Sequence, residues 1–346
     1  VSMEEPAISC GSPRPSYPLA ENQQPGYRIC HFVKRFIPTP AGPVPVVPTQ
    51  LSIRDSIATF IVRLGITRYD YRVAPGLWAV GSPDEDSEIL VTANFKLTFD
   101  HLRKELGGID AWILVLDTKG INVWCAAGEG NFSTSELVHR ISKTGLDRIV
   151  SHRRLIVPQL GATGVSARTV KKQSGFKVIY GPVRANDIPA FLANNRTAEP
   201  AMRQVTFTLY ERFILTPVEV QIVLKPALII MLILFVLSGF GPGVFSFSAL
   251  WHRGGLSALA LAGGIISGAV ITPVLLPYLP FRQFAPKGII TGSVTALIIL
   301  AAASQFVLPW QPGAAGFTAL FLFCTAISSF LAMNFTGTTP YTSPTG

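Results

Sequence analysis

What most constrains this chain is the point at which its acidic residues stop. None occurs beyond Glu219, and from there to Gly346 the only charges are Lys225, Arg253, Arg282 and Lys287. A membrane helix needs about 20 consecutive apolar residues. The stretches Pro226–His252 and Gly254–Phe281, with the run beyond Lys287 that is broken at Pro309-Trp310-Gln311-Pro312, hold four such lengths. The reading places a transmembrane domain at residues 223–346, with helices near 225–241, 256–279, 288–308 and 313–333. No span carries a carboxylate or a central basic residue, which favours anchoring over ion-coupled transport.

The rest of the chain is of another kind. Residues 1–224 hold all 20 Asp/Glu and all but four of the 29 Lys/Arg, and are long enough to bury a core of their own. The net charge of +9 is spread out, with no basic run longer than two and no interleaved aromatic residues, so nucleic acid is not the expected partner. Cys10, Cys30, Cys125 and Cys324 include no CxxC pair, so neither a zinc ribbon nor an iron–sulfur site is expected. The N-terminus lacks the basic-then-apolar pattern of a secretory signal, which places the front domain in the cytosol. With that orientation Arg282 and Lys287 return to the cytosolic side, in line with the positive-inside bias.

Ten of the 27 prolines fall within the first 48 residues, predicting a proline-rich extended arm over residues 1–50 that is no core element. The cytosolic domain spans 51–222. In Ser52–Gly65 the spacing of Ile53, Ile57, Phe60, Ile61 and Leu64 predicts a helix packed through that face. From Ser87 onward short apolar segments alternate with amphipathic ones: EILVTA, FDHLRKELGG, AWILVLDT, SELVHRISKTG, RRLIVPQ, SARTVKKQSG and KVIYG. This alternation predicts an α/β, Rossmann-like parallel sheet, whose ligands collect at the carboxyl ends of the strands.

One such end leads into Gly120-Ile121-Asn122-Val123-Trp124-Cys125-Ala126-Ala127-Gly128-Glu129-Gly130. Ser133 and Glu136 form an S-x-x-E capping box, predicting that the next helix starts there and that Cys125 lies in the connection before it. Ala126, Ala127, Gly128 and Gly130 leave room for a large flat ligand beside the thiol. A thiolate near a helix N-terminus ligates metal well, whereas free cysteines are usually small buried hydrophobes, and the segment alone leaves both readings open. It is no nucleotide fingerprint, lacking a third glycine and a Lys-Ser/Thr pair.

The string INVWCAAG is similar to the cap-helix motif of the mercury-methylation corrinoid protein family, HgcA, with the pattern N-V/I-W-C-A-A/G-G-K. The resemblance continues through Leu90–Asp100, which is like the VTANYKL-type segment shared with corrinoid iron–sulfur proteins, and through Leu155–Gly164 and Tyr180–Ala185. It covers most of the chain, including the membrane spans that the soluble iron–sulfur relatives lack. It implies an α/β corrinoid-binding domain followed by an all-α transmembrane domain in the cytoplasmic membrane. Cys125 would be the lower axial ligand of the cobalt in a cobalamin-type corrinoid. Asn122, Val123, Trp124, Ala126, Ala127 and Gly128 would form the cap beneath the ring, with Asn94, Lys96 and Thr98 at its edges. His101, His139 and His152 are rival ligands, yet no D-x-H-x-x-G pattern occurs and each reads as a surface or packing residue.

The activity so implied is transfer of a methyl group from methyl-cobalt(III) to Hg(II), forming methylmercury. The implied partners are a two-cluster ferredoxin, HgcB, as electron donor and a folate-type methyl donor. Two alternatives stand beside it: a corrinoid methyl carrier in one-carbon, acetyl-CoA pathway-like metabolism, and a non-catalytic membrane-tethered corrinoid-binding module. Glu129 departs from the family pattern, which has lysine there, and replaces a positive charge by a negative one near the site. Cys10 and Cys30 are candidates to relay the thiol-seeking Hg(II), and Cys324 reads as a packing residue. The family pattern continues beyond the terminal Ser343-Pro344-Thr345-Gly346, so the sequence is expected to be a fragment.

Overall fold

A computed structural model describes residues 32–68, 70–241, 243–305 and 313–335. These divide into two units, one ending at Val205 and one beginning at Thr206, with Arg63–Ile66 joined to the second.

The first unit is built on one seven-stranded sheet in the order β1-β2-β3-β5-β4-β6-β7. In chain order the strands are β1 (Arg35–Thr39), β2 (Gly42–Val47), β3 (Gly76–Val80), β4 (Glu88–Ala93), β5 (Ala111–Leu116), β6 (Arg154–Val157) and β7 (Lys177–Tyr180). The helices are α1 (Ile53–Arg63), α2 (Lys96–Lys104), α3 (Val123–Gly128), α4 (Thr134–Lys143), α5 (Leu146–Ile149), α6 (Ala167–Ser174) and α7 (Ile188–Ala193). Strands β5, β4, β6 and β7 run parallel, as the alternation from Ser87 predicts. All six residues of β5 are buried, because helices cover both faces of the sheet. Alternate residues divide between the two layers: Ile89, Val91, Leu114 and Leu116 pack toward α3, α4 and α6, and Leu90, Ile113 and Val115 toward α2 and α7.

Two predictions fail here, each for a physical reason, and one strand escapes the sequence reading. The proline-rich segment is not wholly an arm, for Arg35–Val47 forms the β1–β2 hairpin of the sheet. Its prolines are tolerated because β1 is the edge strand and β2 pairs with β3 only at Val46 and Val47, beyond its last proline. Residues 1–31, with Cys10 and Cys30, lie outside the described residues. Strand β3 was not foreseen; it joins the sheet antiparallel to β5. Helix α1 exists, but Ile53, Ile57 and Phe60 are exposed while Asp55 and Val62 are buried. A buried ion-pair network holds Asp55 and so turns the helix the other way.

In the second unit α8 (Leu209–Phe213) leads into α9 (Thr216–Leu237), followed by the hairpin β8 (Phe240–Gly241) and β9 (Val244–Phe245), α10 (Phe247–Ile266), a π-helical turn at Ser267–Ile271, α11 (Thr272–Leu275), α12 (Phe284–Gln305) and α13 (Ala314–Met333). Four helical stretches, Leu209–Leu237, Phe247–Leu275, Phe284–Gln305 and Ala314–Met333, are long and apolar enough to cross a membrane. The first begins upstream of the residue 225 predicted, since the charged turn Glu211–Arg212 is helical as well. Gly264 on α10, Gly268 in the π-helical turn, and Gly288 and Gly292 on α12 let the backbone of α13 approach. Hydroxyls then bond between helices, Ser267 to Ser328 at 2.9 Å and Thr272 to Thr291 at 2.6 Å. Cys324 is buried among Ala260 and Ala296, the packing role expected of it.

Candidate functional site

The strand order fixes where a ligand belongs. The chain goes from β4 to β5 on one side and then crosses back past β4 to β6, so the connections diverge between β4 and β6, and the crevice opens at their carboxyl ends. Helix α3 stands there. It packs against the end of β4 and against the 3₁₀ turn Gln159–Gly161 that follows β6.

Cys125 lies in the connection between β5 and α4, as predicted, and that connection contains a separate six-residue helix that carries it. Val123, Ala126 and Ala127, spaced one helical turn apart, are buried and hold the helix down; Trp124, Cys125 and Gly128 face outward. Burying a valine-sized side chain contributes about 1.5 kcal/mol or more. Asn122 caps the helix, its Oδ1 accepting from the Cys125 N–H at 3.0 Å, and its Nδ2 stands 3.5 Å from the Cys125 Sγ. One side chain thus fixes both the backbone and the sulfur of Cys125. The thiol is exposed, and Cβ atoms placed at Gly128 and Gly130 would meet nothing within 4 Å. Trp124, 37% exposed, flanks the sulfur in sequence. The surface beside the sulfur is open enough for a flat ligand.

Beneath the helix the fit is tight. A Cβ on Gly164 would lie 2.0 Å from the Phe132 carbonyl oxygen and 3.2 Å from the Ala127 Cα. Only glycine lets the turn after β6 approach α3 so closely.

Asn94, predicted at the edge of a cofactor, is wholly buried and serves instead the loop that delivers α3. Its Oδ1 accepts from the Thr118 N–H at 3.1 Å, the Thr118 hydroxyl at 2.9 Å and the Gly120 N–H at 2.9 Å, and its Nδ2 donates to Asp117 at 3.1 Å. The loop needs such support because Lys119 and Gly120 both take positive φ, 57° and 78°. The Ser133 cap on α4 is present, but Glu136 does not complete the box; its carboxylate accepts from the Asp117 N–H at 2.8 Å and pairs with Arg140. These supports escape sequence reading because their partners lie 19 to 26 residues apart.

Lys96 also points into the interior. Its ammonium lies 2.8 Å from Asp55 and 2.5 Å from Asp100, and Arg103 closes the network, 3.1 Å from Asp55 and 2.7 Å from Asp100. Burial alone would lower the Lys96 pKa; the Asp100 and Asp55 carboxylates outweigh it and hold the group above its ordinary value. Burial would raise Asp55, and Lys96 instead holds it well below the carboxylate range. Thr98 is half-buried on α2. His101 and His139 are exposed, whereas His152 accepts from the Arg154 N–H at Nδ1 and so donates from Nε2 to the Ser87 carbonyl. Among the described residues no three His, Cys, Asp or Glu side chains group as a metal site.

A cavity of about 540 Å³ lies away from Cys125, lined by Lys34, Arg35, Val80, Leu106 and Asp110 at the amino-terminal end of β5. That cavity lies at the end of the sheet opposite the carboxyl ends of β4 and β6, so the position of Cys125 at the diverging strands carries more weight.

Comparison with known proteins finds similarity over part of the α/β unit. The profile of the CO dehydrogenase/acetyl-CoA synthase delta subunit family matches residues 62–192. The acetyl-CoA decarbonylase/synthase complex subunit gamma of Archaeoglobus fulgidus is 35% identical over 130 residues, 37% of this chain and 27% of the relative. The same subunit of Methanopyrus kandleri is 35% identical over 127 residues, 36% and 27%. The corrinoid/iron–sulfur protein large subunit of Moorella thermoacetica is 33% identical over 126 residues, 36% and 28%. The chain thus spans about a quarter of the length of these relatives, and the similarity falls on the α/β unit that carries Cys125.

Proposed function

We propose that the chain is a membrane-anchored corrinoid-dependent methyltransferase of the mercury-methylation type, with Cys125 as the lower axial ligand of cobalt and Hg(II) as the methyl acceptor. The observation that carries this reading is an exposed thiol on a short helix at the diverging strands, within a domain similar to proteins named for a corrinoid. A bound corrinoid would supply a cobalt centre able to carry a methyl group and give it up.

The residues present suit that group. A thiolate is a soft, electron-donating ligand, and Asn122 Nδ2, 3.5 Å from the sulfur, orients it. Val123, Ala126 and Ala127 act from below by anchoring the helix, while Trp124 and the bare backbone at Gly128 offer the outer surface. Asn94 acts at one remove, through the Thr118–Gly120 loop. Lys96 and its carboxylate partners maintain the fold. Glu129 is exposed next to Gly128 and bonded to Asn131, so it presents negative charge at the site's rim.

The reading includes a two-cluster ferredoxin as electron donor, a folate-type methyl donor, and a cytoplasmic position for the α/β unit, which Arg282 between the second and third spans and Lys287 in the first turn of the third support. Assay of the full chain with corrinoid and a methyl donor should give methylmercury from Hg(II), and Cys125→Ala should abolish it. Full activity in that variant overturns the ligand assignment. The names of the relatives favour a second reading, a methyl carrier in acetyl-CoA metabolism. Methyl transfer to a metabolic acceptor, with none to Hg(II), identifies that role.

A further inference from the structure

Helix α1 carries its large apolar side chains on the outside. Ile53, Ile57 and Phe60, spaced along one helical face, are 80%, 54% and 63% exposed, and Ile66 just beyond the helix is 51% exposed. The face is held outward. Asp55 and Val62 are buried on the opposite side, and Asp55 is fixed there by Lys96 at 2.8 Å and Arg103 at 3.1 Å. Elsewhere in the same unit the polar side chains face out: α6 buries Val170 and exposes Arg168, Lys171 and Lys172. Single apolar residues at a surface are ordinary, but a contiguous row of large ones marks a contact surface.

Two observations indicate what covers the row. The first is continuity with the spans. Arg63, the last residue of α1, and the turn after it belong to the helical unit, where a Cβ on Gly65 would lie 3.0 Å from the Gln221 side chain of α9. Gln221 stands between Glu219 and Lys225, the last charges before the charge-free run that starts at Pro226. The end of α1 is thus fixed where the first span passes from polar to apolar, which in a bilayer is the headgroup level. The second observation is charge. At about 100° per residue, Arg54 and Arg63 fall on opposite flanks of the apolar row. Asp55, the one acidic residue of the helix, is turned inward. An apolar face with basic flanks is the pattern of helices that lie in the plane of a membrane surface.

We propose that α1 is a membrane-surface helix, with Ile53, Ile57 and Phe60 dipping into the headgroup–acyl boundary of a phospholipid bilayer and Arg54 at the headgroup phosphates. It attaches the α/β unit to the bilayer directly, and not only through the connecting chain. The proposal rests on the reading of the four apolar helices as membrane spans and is independent of the corrinoid.

The test uses the full chain in nanodiscs of phosphatidylglycerol and phosphatidylcholine, with the photo-crosslinking residue benzoylphenylalanine placed at one position at a time. Phe60→benzoylphenylalanine reports on the α1 face. Lys172→benzoylphenylalanine, on α6, is the control for a solvent-facing surface, and Leu232→benzoylphenylalanine, at an exposed position in the first span, is the control for spanning. After irradiation, mass spectrometry should find lipid adducts at Phe60 in about fivefold or greater yield than at Lys172. Ile57→Asp, a change at an exposed position, should leave Tm unchanged and reduce the lipid yield at Phe60 about tenfold, because a charge is costly at the acyl boundary. Lipid adducts at Leu232 with no more at Phe60 than at Lys172, or adducts of Phe60 to a second copy of the chain, overturn the proposal and leave the spans standing. Absence of lipid adducts at Leu232 overturns the spanning reading and the proposal with it. A marked fall in Tm in Ile57→Asp shows the face packed within the chain and also overturns the proposal.

Discussion

At the scale of single residues, Asn122 links the local fold to the chemistry, because it binds the Cys125 N–H through one atom and faces the sulfur with another. Asn122→Ala removes both contacts. It should cost about 1 kcal/mol of stability, as lost helix caps do, and should weaken corrinoid binding while Cys125 remains; Asn122→Asp, which keeps the cap but not the N–H donor, separates the two effects. Chemical unfolding and corrinoid titration of the two variants check this. Asn94→Ala is expected to cost more, because three donors of the Thr118–Gly120 loop lose a buried acceptor, each worth about 1 kcal/mol or more. Unchanged stability in that variant would contradict the positioning role.

At the scale of elements, the sequence made the alternation from β4 to β7 legible because each of those strands is a short apolar run and each intervening helix shows its own period. Cys125 was legible as a special residue through the resemblance of INVWCAAG to a cap-helix motif, for the segment alone leaves a packing role open. Helix α3 was legible only through that motif, since six residues carry too little periodicity of their own. The orientation of α1 was misread because a count of apolar side chains cannot reveal that Asp55 meets Lys96, 41 residues away. That network yields a pH prediction. Asp55 has a lowered pKa, so its stabilisation is complete above about pH 4, the unfolded carboxylate value, and is lost as pH falls through the folded one. Lys96 has a raised pKa, so its share is complete below about pH 10 and is lost as pH rises through the folded value. Lys96→Met should destabilise the α/β unit by about 3–5 kcal/mol by leaving two carboxylates to one arginine, and should flatten the alkaline arm of its stability profile. Gly164→Ala is expected to be damaging for a different reason, the 2.0 Å approach to the Phe132 carbonyl. It should shift α3 and lower corrinoid affinity, which titration against wild type measures.

At the scale of the whole molecule, the chain combines a helix-covered sheet, similar over residues 62–192 to subunits of acetyl-CoA-forming complexes, with four helices of membrane-spanning length. The similarity covers strands β3 to β7 of the sheet; the exposed cysteine and the apolar helices carry the proposed reading toward a membrane-bound methyltransferase. Alkaline carbonate washing should leave the chain in the membrane fraction, and its release would contradict the spanning reading. The central claim is a bond between Cys125 sulfur and cobalt. Absorption spectra of the full chain reconstituted with a corrinoid test it most directly: the wild type should show a spectrum displaced from that of the free cofactor, and Cys125→Ala, binding the same corrinoid, should lose that displacement. Superimposable spectra from the two proteins, each holding its corrinoid, would contradict the account.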